Sequence, residues 1–191
     1  RIGNKFLHTG PGYGGSCFPK DTKALARIGR EHGVPMQITE TVMKVNEEVK
    51  RRMINKLLYL CNYSFRNKTI AVLGVTFKPN TDDMRDAPSL TILPVLVGEG
   101  ATVIICDPQG QKEGANLLQG VIWEEDPYKA ATNAELVVLL TEWNEFRALD
   151  LKRIAENMKS PKLADLRNVY SAESAKIAGF ESYYSIGREL F

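Results

Sequence analysis

The sequence is poor in cysteine and poorer in histidine, with three of the first and two of the second among 191 residues. Three cysteines at irregular spacing form no disulfide framework, which excludes a disulfide scaffold and predicts a reducing compartment, the cytoplasm. Only His8 and His32 offer an imidazole base. Thiol-dependent acyl transfer therefore has one sequence-near base, His8, and ranks low. The net charge of +2 gives no field to hold nucleic acid or a membrane surface. The basic run Lys50-Arg51-Arg52 reads as a solvated helix face. No apolar stretch is long enough to span a bilayer, and no residues present read as a signal peptide. Nothing predicts a metal site.

With 43% hydrophobic and 25% charged residues, the composition is that of a globular chain able to bury a core. The first residue is Arg1 rather than Met, and it opens directly into a motif of active-site type. That predicts a piece of a longer protein.

The motif is Gly12-Tyr13-Gly14-Gly15-Ser16-Cys17-Phe18-Pro19-Lys20-Asp21. Small residues around Cys17 allow close approach of backbone or substrate. Pro19-Lys20-Asp21 reads as the first turn of a helix. A helix N-terminus and the nearby Lys20 both favour a thiolate nucleophile at such a position. Cys61 falls in an apolar helical run and Cys106 in a buried strand, so both read as packing residues.

Apolar residues Ile38, Val42, Val45, Val49, Met53, Leu57 and Leu60 recur every three or four positions. They predict one long amphipathic helix, roughly 35–40 Å at 1.5 Å per residue. It outgrows a small core and predicts packing against a second domain or subunit. From Asn67 onward, strands are predicted at 69–75, 102–106, 121–123, 135–140, 162–165 and 183–186. Helices are predicted at 88–98, 109–118, 127–132, 151–158 and 172–178. Alternating strand and helix with runs such as Leu136–Leu140 imply a parallel, doubly wound sheet. The fold class is thus α/β: a helical segment over 1–65 with a long helix over 38–61, then a Rossmann-like domain over 66–191. Ligands gather beyond the carboxyl ends of such strands, which directs attention to 74–85, 141–146 and 165–168. The turn after the first strand carries no G-x-G-x-x-G. It is long and charged, with Lys78 and Arg85 suited to phosphate groups and Asp82, Asp83 and Asp86 interspersed.

Gly12–Asp21, Gly74–Lys78, Thr81–Arg85, Cys106-Asp107-Pro108, Thr141–Phe146 and Asp165–Asn168 together resemble the C-terminal part of the nucleotide-sugar dehydrogenases. Phe18 and Thr141–Phe146 look most like the members that oxidise UDP-glucose. Members acting on GDP-mannose share Gly-Gly-Ser-Cys and remain the alternative. The resemblance implies oxidation of a sugar C6 alcohol to a carboxylate with two NAD⁺. In that family Cys17 is the nucleophile, through a thiohemiacetal and a thioester, and Asp21 lies near the reacting water. Lys20 and Arg85 approach the cofactor. Leu7, Tyr13 and Gly14 belong to the segment wrapping the sugar nucleotide, and Phe77, Lys78 and Arg167 to the C-terminal grip on it. Arg1 reaches the neighbouring subunit's site across a homodimer formed by the long helix. The family's NAD-binding domain precedes Arg1. A non-catalytic sugar-nucleotide-binding or redox-sensing module is the alternative of another class.

Overall fold

A computed structural model describes residues 3–191. A 3₁₀ turn, Asn4–Leu7, leads through the glycine-rich loop into α1 (Cys17–Glu31) and α2 (Gln37–Leu60). The α/β part follows as β1 (Thr69–Leu73), α3 (Ser89–Gly98), β2 (Thr102–Cys106), α4 (Gln111–Leu117), β3 (Val121–Trp123), α5 (Pro127–Ala130) and β4 (Leu136–Leu139). It ends with α6 (Asn144–Arg147), α7 (Leu151–Asn157), β5 (Lys162–Asp165), α8 (Ala172–Ile177) and β6 (Ser182–Ser185). All six predicted strands form, within one or two residues of their expected ends. The four-residue α6 was not predicted; it is too short to show a period.

The strands make one all-parallel sheet in the order β3-β2-β1-β4-β5-β6. The chain winds outward from β1, then returns to start again at β4. The order therefore reverses between β1 and β4, and sheets of this kind have their ligand crevice beyond the carboxyl ends at that point. Helices cover both faces, so the central strands β1 and β4 are buried almost along their whole length and alternate residues feed two cores. Ile70, Val72, Val103, Ile105, Leu136 and Val138 pack with Ile92, Leu93 and Leu96 of α3. Ala71, Leu73, Val137 and Leu139 pack on the other face with Ile154, Ala155, Phe180 and Tyr183.

Helix α2 forms as expected, but its apolar stripe is not continuous in use. Met53, Leu57 and Leu60 are buried in the α/β core, where burying a residue such as Leu57 contributes about 1.5–3 kcal/mol. Ile38, Val42 and Val45, toward its start, are exposed. A second departure concerns the basic run. Arg51 and Arg52 are solvated, but Lys50 is only 3% exposed, its ammonium 2.8 Å from Glu47. Lys50 lies on the helix flank turned toward the glycine-rich loop, which hydrophobicity alone does not reveal.

Candidate active site

Cys17 is the first residue of α1, exposed and free, with Ser16 Oγ 3.6 Å from its sulfur. Cys61 and Cys106 are free but buried, and burial pushes their thiols up to about 11 and about 12. Only Cys17 is available to a solute. Asp21 lies four residues further along α1, one helical turn away, and pairs with Lys20 at 3.3 Å in solvent.

The loop before Cys17 is pressed against the crevice side of the α/β part. Gly15 donates its N–H to the Arg85 carbonyl at 2.7 Å. Its φ is +87°, and an added Cβ would meet the Phe77 ring at 2.8 Å. Lys78 places its ammonium 5.3 Å from the centre of that ring. Arg85 is held by Asp83, whose carboxylate accepts from its guanidinium Nε and Nη2, at 3.0 and 2.8 Å, and from its backbone N–H at 2.9 Å. Those bonds from Arg85 hold the Asp83 carboxyl below its ordinary range.

Arg167, just beyond β5, pairs with Glu142, just beyond β4. Its guanidinium lies against Gly10, where an added Cβ would collide with it. Tyr13 is fastened through its backbone to Asn46 of α2, and its ring meets Phe18 edge-on at 4.5 Å. Leu7 ends the 3₁₀ turn with its side chain exposed. The structure thus brings Gly10 to Arg167, and Gly15, two residues before Cys17, to Phe77 and Arg85. Lys20 and Asp21 are exposed on the first turn of α1. Arg1 lies outside the described residues.

Gly10, Gly12 and Gly15 have the spacing of a dinucleotide fingerprint, but a 3₁₀ turn precedes them rather than a strand. The space above them is filled by Arg167, by Asn46 with Lys50, and by Phe77. They seat this chain's own side chains, not a pyrophosphate. The turn after β1 is closed as well. Asp107, at the end of β2, accepts from the N–H of Val75 at 2.7 Å and of Thr76 at 3.3 Å, and from the Trp143 indole at 3.3 Å. Its other oxygen accepts from Gln109 at 3.0 Å and Gly110 at 2.7 Å. Asp165 plays the same part after β5, accepting from Arg167 N–H at 3.1 Å, Tyr170 N–H at 2.8 Å and the Tyr183 hydroxyl at 3.2 Å. Asp107 and Glu142 lie in segments that carry the family resemblance, yet no spacing marks them as supports. Asn46 has no local signal at all.

Two family models match the chain. The central domain of the UDP-glucose/GDP-mannose dehydrogenase family matches residues 1–48, and that family's UDP binding domain matches residues 71–172. The chain belongs to the UDP-glucose/GDP-mannose dehydrogenase family. It is 50% identical over 188 residues to a UDP-glucose 6-dehydrogenase of Rhizobium meliloti, covering 98% of this chain and 43% of the relative. Identity to the UDP-glucose 6-dehydrogenase TuaD of Bacillus subtilis is 41%, over 98% of this chain and 41% of that one. The solved UDP-glucose dehydrogenase of the archaeon Pyrobaculum islandicum superposes with a TM-score of 0.79 at 34% identity, over 91% of this chain and 39% of that one. The chain spans about two-fifths of the length of these relatives. As a member of the dehydrogenase family, it carries Cys17, Lys20 and Asp21 within the matched central segment. Phe77, Lys78, Arg85 and Arg167 fall within the matched UDP binding segment.

Proposed function

We propose that the full-length protein oxidises the C6 alcohol of UDP-glucose to the carboxylate of UDP-glucuronate, with NAD⁺ as oxidant and Cys17 as nucleophile. One observation carries this reading. Cys17 is the exposed first residue of a helix, on a loop bonded to and packed against the residues that follow β1. The named activity of the relatives supports the substrate.

This chain fits NAD only at an edge, because the N–H groups after β1 are already taken by Asp107. Its contribution to the cofactor is the exposed cations Lys20 and Arg85, which suit a diphosphate. When bound, NAD⁺ supplies the hydride acceptor for both oxidation stages. The chain's own residues do the rest. The Cys17 sulfur forms a bond to C6 of the aldehyde, and the carbonyl oxygen takes up a proton, giving a thiohemiacetal. Once C6 reaches the thioester level, water adds to it, the S–C bond breaks and the thiolate leaves. Asp21, one helical turn from Cys17, accepts the water's proton. Arg167 and Lys78 offer charge to the nucleotide's diphosphate, Phe77 and Tyr13 offer aromatic faces, and Leu7 and Gly14 wrap the sugar.

The same reading divides the chain at about residue 65, into a central dimerisation segment and a sugar-nucleotide-binding domain. It also makes the protein a cytoplasmic homodimer. The exposed Ile38, Val42 and Val45 of α2 support a partner subunit there, whose site Arg1 completes. Among the described residues, no helix is long and apolar enough to cross a membrane.

The test is turnover of the full-length protein with NAD⁺ and either UDP-glucose or GDP-mannose. The expected result is two NADH per UDP-glucuronate, with no acid formed by Cys17→Ser while sugar-nucleotide binding persists. Binding of UDP-glucose without NADH production would leave a binding module, and acid production by Cys17→Ser would remove the nucleophile.

A further inference from the structure

Asn46 is a polar side chain only 7% exposed, near the middle of a helix that is otherwise read through its apolar stripe. A buried amide is costly unless its hydrogen bonds are made. Its oxygen and its nitrogen each bond the backbone of one residue distant in sequence. Its carbonyl oxygen accepts the Tyr13 N–H at 2.8 Å, and its amide donates to the Tyr13 carbonyl at 3.1 Å. Each end of the amide is used, so its orientation is set by the Tyr13 backbone and sets it in return.

The seat continues one turn further along α2. An added Cβ at Gly12, where φ is +121°, would meet Asn46 Oδ1 at 2.9 Å and Lys50 Cγ at 3.2 Å. The loop therefore lies directly on Asn46 and Lys50. Lys50 keeps its ammonium bonded to Glu47 and its aliphatic stem beneath the loop. On the far side, Gly15 is bonded to Arg85, and two residues later comes Cys17. Tyr13 and Gly15 are thus the two anchors that fix the approach to the nucleophile. One anchor is a helix that also enters the α/β core, and the other is the charged loop after β1.

We infer that Asn46 is a positioning residue for the cysteine loop: by clamping the Tyr13 backbone on both sides of its Cα it sets where Cys17 and the Tyr13 ring stand. This rests on the reading of Cys17 as the nucleophile, but it has a readout that does not need turnover. Cys61 and Cys106 are buried, so within this chain iodoacetamide reaches Cys17, and alkylation followed on the Cys17 peptide by mass spectrometry is that readout. The position of Asn46 on α2 also places the clamp between the exposed apolar half of the helix and the half held in the core.

The experiment uses full-length protein carrying Asn46→Leu, which removes both bonds. Asn46→Asp keeps the shape and the acceptor but loses the donor, and Asn55→Ala, exposed on the same helix, is the control. Asn46→Leu is expected to lower kcat/KM for UDP-glucose about ten- to a hundredfold, the effect of two ordinary hydrogen bonds. The fall is expected mainly in kcat, with a changed rate of Cys17 alkylation. Asn46→Asp is expected to move both in the same direction by less, and carries the test if Asn46→Leu does not fold. A residue that only stabilised the fold would lower the melting temperature and leave alkylation and kcat of the folded protein at wild-type values. That result in a folded variant overturns the inference. A wild-type protein with no turnover would instead sink the proposed activity, while the alkylation rates would still decide the role of Asn46.

Discussion

Gly15 and Arg85 are 70 positions apart in the chain, and the N–H of one bonds the carbonyl of the other at 2.7 Å. That bond joins the loop that leads to Cys17 to the charged turn that follows β1. The approach is close because Gly15 has no side chain: its backbone lies against the Phe77 ring with φ at +87°.

Gly15→Ala therefore places a methyl group where the ring already stands and adds the cost of a left-handed non-glycine residue. The strain is about 1–3 kcal/mol. The loop is expected to lift from Phe77, with loss of turnover and a lower denaturation midpoint. A variant with wild-type turnover and stability would mean that the loop does not dock on Phe77 in solution.

Arg167 and Lys78 separate binding from folding. Lys78 is exposed, whereas Arg167 and its partner Glu142 are mostly buried. Either alanine variant is expected to weaken UDP-glucose binding by about 1–3 kcal/mol, the range for bonds to charged groups. Only Arg167→Ala should also lower the melting temperature, because Glu142 then loses its cation. Calorimetric titration and thermal melts of the two variants check this, and undiminished affinity in both would remove both residues from the nucleotide site.

Acid sensitivity is expected at the opposite end of the sheet. Burial pushes the Glu135 carboxyl upward, but bonds from Lys159 at 2.9 Å and the Thr69 N–H at 2.7 Å outweigh it and hold it below its ordinary 4.5. A depressed folded value gives stability that is fully present above the unfolded value and lost as pH falls through the folded one. Glu135→Gln should thus cost about 1–3 kcal/mol at neutral pH. The gap from wild type should shrink below pH 4.5. Urea titrations of both proteins at several pH values measure it, and a gap independent of pH would show that the charge contributes nothing.

The division of α2 changes which residues test the dimer. Met53 belongs to the core of its own chain, so charge there should unfold the protein rather than dissociate it. Val42→Glu or Val45→Glu, on the exposed half, is expected to shift full-length protein toward monomer, with Arg51→Glu as the control. Sedimentation velocity at micromolar concentration decides. A wild-type monomer with full activity would exclude both the interface and a shared role for Arg1.

Much of the fold was legible in the residues alone. Strand and helix segments alternate along the chain, and continuous apolar runs mark strands covered on both faces, so the doubly wound sheet follows from local pattern. The setting of Cys17 at the start of a helix was legible too, because Pro19-Lys20-Asp21 marks a first helical turn directly after the glycines. The supports were not. Asn46 reaches a backbone 33 positions away and Asp107 one 32 positions away, and neither leaves a local trace. Periodicity likewise shows that α2 has an apolar stripe but not what covers it. Only the folded chain puts Met53 and Leu57 into the core, leaves Val42 and Val45 outside, and buries Lys50 beneath the loop. Local pattern is set by neighbours along the chain, whereas burial and hydrogen-bond partners are set by whichever distant segment arrives to exclude water.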